Sequence, residues 1–107
     1  MYKGTIIENS LADKGILQQV QITRSWNEGD WVLHDVLVRE DQFEDLKNSL
    51  AVGPWYMHFW IPGQDKMRVI YKDKIFEVKI SDKTTWKGAV EHGESIGIPT
   101  EQLDFLV

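Results

Sequence analysis

The sequence predicts an α+β domain: a mainly antiparallel sheet of about six strands, in the order βββα-βββα, with two helices packed on one face. Three observations lead there. Six short stretches rich in β-branched and aromatic residues are punctuated by Gly, Pro, Asn and Asp. Two stretches with helical spacing follow the third and the sixth of them. The 107 residues, 42% of them hydrophobic, fit a single domain (residues 1–107) around one core, and no stretch resembles a linker.

The first strand is expected over Lys3 to Glu8, where Thr5, Ile6 and Ile7 are β-branched. Asp13-Lys14-Gly15 has turn chemistry, and a second strand is expected from Ile16 to Arg24. Ile16, Val20 and Ile22 share one parity there and Gln19, Gln21 and Thr23 the other, the pattern of a strand wet on one face. Asn27-Glu28-Gly29-Asp30 turns the chain into a third strand, Trp31 to Arg39. Val32, Val36 and Val38 flank His34 on one side of it, and Trp31, Leu33 and Leu37 flank Asp35 on the other. Two apolar faces make this strand central.

Asp41 and Glu44 have capping-box spacing, and Phe43, Leu46 and Leu50 repeat at helical intervals until Gly53, so the first helix is expected over residues 42–51. Gly53 to Gly63 then packs Trp55, Tyr56, Met57, His58, Phe59, Trp60 and Ile61 between two prolines and reads as a buried strand. Met67 to Tyr71 and Ile75 to Ile80 form a hairpin around Lys72-Asp73-Lys74, pairing either Arg68 with Glu77 or Tyr71 with Phe76. Both registers place Met67, Val69, Tyr71, Phe76, Val78 and Ile80 on one face, and Lys66, Arg68, Ile70, Ile75, Glu77 and Lys79 on the other. A second helix is expected from Thr85 to Ser95, with Trp86, Ala89, Val90, Gly93 and Ile96 on its apolar stripe. Pro99-Thr100-Glu101 opens a short helical turn, and Leu103, Phe105 and Leu106 are expected to dock the C-terminus.

Composition narrows the functional classes. Twelve Lys and Arg against seventeen Asp and Glu give a net charge of −5, without a basic run to track phosphates, so nucleic acid is not an expected partner. Cysteine is absent, which removes disulfides, thiolate nucleophiles and Cys-ligated metals. Neither a signal-peptide core nor an apolar run of about 20 residues occurs, and no lipidation motif ends the chain, so a soluble cytoplasmic protein without a membrane partner is expected.

Motifs of known chemistry are equally sparse. His34, His58 and His92 lack metal-ligand spacing, and His34 and Asp35 are strand neighbours that point to opposite faces, so no metal site is expected. No Gly-x-Ser-x-Gly elbow, Gly-x-Gly-x-x-Gly fingerprint or Walker loop is present, so neither a serine triad nor a nucleotide site is expected, and no cofactor is.

The functional expectation therefore rests on the aromatic strand. If Trp55, Met57, Phe59 and Ile61 meet the helices, then Tyr56, His58 and Trp60 join Arg68, Ile70 and Glu77 on a face the helices do not cover. Leaving a large aromatic in water forgoes about 1.5–3 kcal/mol of burial, so such a stripe marks an interface or a pocket unless the C-terminal tail or the first hairpin folds over it. The expected role is a non-catalytic interaction or homodimerising module using this face. The alternative is a small-ligand-binding domain or enzyme with a pocket lined by Tyr56, His58 and Trp60, with Arg68 and Glu77 as polar partners.

Overall fold

Every strand pairing in the computed structural model, which describes residues 1–105, is antiparallel. Six strands, β1 (Tyr2–Ile7), β2 (Gln21–Glu28), β3 (Trp31–Val38), β4 (Met57–Trp60), β5 (Lys66–Ile70) and β6 (Ile75–Lys79), lie in the order β2-β3-β1-β4-β5-β6. The α+β class and the βββα-βββα order are as expected, with helices α1 (Phe43–Ser49) and α2 (Lys87–Ser95) after β3 and β6. The first strand is the seam of the sheet. It pairs with β3 from Tyr2↔Val38 to Ile7↔Leu33, and with β4 through Lys3↔Trp60 and Gly4↔Phe59. Gly4 is required at that seam, because a Cβ there would lie 2.5 Å from the His58 carbonyl oxygen and 2.5 Å from the Phe59 ring.

The two helices do not share a face, which corrects the single helical layer expected from sequence. Helix α1 brings Phe43 and Leu46, followed by Leu50, onto Tyr2, Ile6, Val36, Val38, Met57, Phe59 and Ile70. Helix α2 lies on the other side, where Trp86 and Ala89 join Met67, Val69, Tyr71, Val78, Ile98, Leu103 and Phe105. The cause is in the strands: β4 presents Met57 and Phe59 to one side and His58 and Trp60 to the other, β5 presents Ile70 to the first and Met67 and Val69 to the second, and each side needs its own cover to leave water. The Tyr71 hydroxyl anchors α2 by donating to the Ala89 carbonyl at 2.6 Å. Leu106, expected to dock with Leu103 and Phe105, lies outside the described residues.

The second strand also differs from expectation. Residues Lys14–Gln18 form a 3-10 helix, because the Asp13 carboxylate accepts the Gly15 N–H at 2.9 Å and caps it. Ile16 is then buried against the first core, and the strand begins later, at Gln21. It runs to Glu28 and turns through Gly29-Asp30, with Gly29 at φ 57°. Helix α1 is preceded by a 3-10 turn over Glu40–Gln42, whose Gln42 side-chain oxygen accepts the Arg39 N–H at 2.9 Å, in place of the expected Asp41 and Glu44 box. The β5-β6 hairpin takes the Arg68↔Glu77 register.

Candidate functional site

Strand parity and register locate the uncovered part of the sheet. Thr5 and Ile7 of β1 and Leu33 of β3 point to the same side as α2, but α2 reaches only the β5-β6 half. The C-terminal segment after α2 returns beside them over β4. It leaves a groove of about 520 Å3, to which the strands contribute Thr5, Ile7, Trp31, Leu33, Met57 and His58. Pro54, Trp55 and Tyr56 border it from the loop before β4, and Ile98, Glu101, Gln102 and Asp104 from the C-terminal segment.

Aromatic rings share its apolar border with Ile7, Leu33, Pro54, Met57 and Ile98. Trp31 and Trp55 meet edge to face with centroids 6.0 Å apart, and Trp31 remains 41% exposed. Tyr56 stacks on His58 at 6.1 Å, and His58 on Trp60 at 5.5 Å. Phe105 closes over this row, edge-on to Tyr56 at 5.4 Å and tilted to His58 at 6.1 Å. It does so at φ 42°, in the left-handed region that aromatic residues seldom occupy, and its ring is buried. The tail thus covers part of the aromatic row: Tyr56 and His58 still border the groove, whereas Trp60 packs against the α2-side core and does not line it.

The electrostatics of the groove are one-sided. Among the described residues that line it, Glu101 and Asp104 are acidic and none is Lys or Arg. The Tyr56 hydroxyl donates to the Gln102 carbonyl at 2.5 Å, and its pKa is pushed up to about 12, first by burial and then by the Asp104 carboxylate. Thr5 donates to Asp35 at 2.7 Å on the sheet beneath.

Tyr56, His58 and Trp60 are therefore brought together, but Arg68, Ile70 and Glu77 are not with them. The β4-β5 register pairs Met57 with Ile70 and Phe59 with Arg68, so these side chains share the α1 face, and the sheet separates them from the groove. Sequence parity could not fix this, because the alignment of β4 on β5 depends on the loop around Pro62-Gly63. Ile70 is fully buried. Arg68 meets Glu40 at 2.8 Å and Glu77 at 3.7 Å and lies over the Phe43 ring at 5.6 Å. It closes the edge of the first core as an ion-paired cap.

Two placements go beyond the sequence expectation. Trp31 was not singled out there and Trp55 was expected to meet the helices with Met57, Phe59 and Ile61, but both border the groove, Trp55 from the loop before β4 with part of its surface packed on the first core. The other is a hydrogen-bonded chain on the α1 side: Ser25 Oγ lies 2.7 Å from His34 Nδ1, and His34 Nε2 lies 3.1 Å from Glu8 Oε1. A two-residue turn at Gly29-Asp30 fixes Ser25 opposite His34, so this contact was legible once the turn was placed. Although its order matches nucleophile, base and carboxylate, Ser25 does not line the groove. Its role is to tie β2 and β3 to the turn at Glu8–Ser10.

Among the described residues no group of three or more His, Asp or Glu side chains could hold a metal ion, and no helix is long and apolar enough to cross a membrane. The chain matches no protein-family model, no curated protein and no solved structure, so its functional reading rests on geometry.

Proposed function

We propose that this chain is a non-catalytic binding module, and that the groove between the β2-β3 hairpin and the C-terminal segment takes a small ligand with an apolar body. One observation carries the reading: a concavity of about 520 Å3 bordered by Trp31, Trp55, Tyr56 and His58. Ligand sites are typically about 300–1,000 Å3, mainly apolar, with a few polar groups for orientation. Here Thr5, Gln102 and the exposed Glu101 and Asp104 carboxylates supply those groups.

A ligand that binds only the folded chain raises its melting temperature by mass action. A panel of small aromatic and aliphatic compounds is expected to contain members that do so, with the rise lost in Trp31→Ala. A panel without effect, or rises that survive this substitution, would sink the reading.

Self-association is the second reading, favoured by the open edge of the sheet. Strand β2 is one of the two edge strands, and Ile22 on it and Trp31 on the neighbouring β3 are each 41% exposed. Tyr56, His58, Trp60 and Ile70 do not form the dimer surface together, since Ile70 is buried on the opposite side. Light scattering at high concentration would then give a dimeric mass that Ile22→Asp reduces to a monomer; a monomeric wild type removes this reading.

A further inference from the structure

We infer that the ligand of the groove is a small organic cation, a quaternary or alkylated ammonium compound free in solution. The inference rests on the groove being a ligand site and concerns the chemistry it selects.

Three observations point to positive charge on an apolar body. The rings of Trp31 and Trp55 stand edge to face, 6.0 Å apart, at one end, and Tyr56 borders the same space. Aromatic faces carry negative potential and attract a cation within about 6 Å, most strongly when its charge is spread over methyl groups that shed water readily. The charged residues of the lining are Glu101 and Asp104, both exposed carboxylates, with no Lys or Arg to oppose a cation. Thirdly, the groove is a concavity of about 520 Å3 whose lining includes the buried Leu33, Met57 and Ile98, so a ligand there is partly desolvated and feels these charges more strongly than one on a flat surface.

The same features disfavour other ligands. An anion would meet two carboxylates and, among the described lining residues, no Lys or Arg. A neutral apolar compound would use the rings but gain nothing from Glu101 and Asp104. A strongly hydrated ammonium without alkyl groups would lose water that rings do not replace.

Isothermal titration of the wild-type chain with choline and with its tert-butyl isostere, in which carbon replaces nitrogen, tests the inference. Choline is expected to bind about tenfold more tightly than the isostere. Its affinity falls severalfold in Glu101→Gln/Asp104→Asn and becomes less salt-dependent, while that of the isostere is unchanged. Both substitutions are at exposed positions, and an unaltered melting temperature confirms the fold. Equal affinity for the two compounds overturns the cation inference and leaves the groove an apolar ligand site. Binding of neither also overturns it, and the compound panel described above then decides separately whether the groove binds anything. An N-acetyl trimethyllysine amide carries the same headgroup on a peptide; if it binds tenfold more tightly than choline, assignment to a free solute is overturned.

Discussion

The Tyr56 hydroxyl donates a hydrogen bond to the Gln102 carbonyl across 46 residues of chain, at 2.5 Å, and so ties the start of the aromatic strand to the segment that borders the groove. A neutral hydrogen bond of this kind contributes about 0.5–1.5 kcal/mol net. Tyr56→Phe is therefore expected to lower stability by about 1 kcal/mol in urea denaturation, with the ring contacts to His58 and Phe105 retained. A loss much larger than this would mean that the hydroxyl supports more than the C-terminal segment.

Alkaline titration reads the same residue. The folded state holds Tyr56 neutral to about 12, against an ordinary 10.0. Because the folded value is the higher, the associated stability is complete below 10.0 and is lost as pH rises through about 12. Tyr71 is raised as well, by burial and then by its proximity to Tyr56. Tyrosinate absorbance is thus expected to appear in two stages, the later one accompanying unfolding. Asp104→Asn removes a carboxylate that opposes ionisation and should move the Tyr56 transition to lower pH, while a transition unmoved by this change would remove Asp104 from the groove's field.

Two glycines test how tightly the layers approach. A Cβ at Gly93 of α2 would meet Tyr71 Oη and Leu103 Cδ2, each at 2.6 Å, and a Cβ at Gly4 would meet backbone as well as a ring. Overpacking costs about 1–3 kcal/mol, so Gly93→Ala and Gly4→Ala are both expected to unfold at lower denaturant, Gly4→Ala more so because a carbonyl oxygen cannot rotate away. Gly88→Ala is the control, since its Cβ would sit 3.4 Å from the Phe76 ring at ordinary van der Waals distance.

At the acid end, three exposed carboxylates hold pKa values below the ordinary range. Asp65 accepts hydrogen bonds from Ser81, Asp73 from His92 and Asp82 from Thr84. A lowered folded value means stability that is present above the ordinary carboxylate pKa and lost as pH falls through the folded one. Melting temperature should therefore decline on acidification below the ordinary carboxylate range, and Asp65→Asn should shallow that decline. An unchanged slope would show that the Ser81 hydrogen bonds do not persist in solution.

Much of the architecture was legible because hydrophobic period and turn chemistry agree with tertiary structure along most of the chain. Phe43, Leu46 and Leu50 marked the helix that covers the first core, and the Arg68↔Glu77 register was one of two that turn geometry allowed. Ile16 misled, because a lone parity match can equally be a buried residue of a capped 3-10 turn, and Asp13 decided for the turn. The faces misled for a different reason. Parity within a strand says which residues share a side, but relating the sides of two strands needs the register, and Met57↔Ile70 put Arg68, Ile70 and Glu77 across the sheet from Tyr56, His58 and Trp60. The groove itself depends on where the C-terminal segment returns, a long-range placement that no local pattern encodes.

Binding in the groove can be read residue by residue. Heteronuclear NMR of the labelled protein, titrated with whichever compound most raises its melting temperature, tests it most directly. The indole N–H signals of Trp31 and Trp55 and the backbone signals of Thr5, His58 and Gln102 are expected to move together to saturation. The indole of Trp86, held by its hydrogen bond to the Lys79 carbonyl at 2.7 Å, should stay in place. Shifts confined to the α1 face, around Glu40, Arg68 and Glu77, would contradict it.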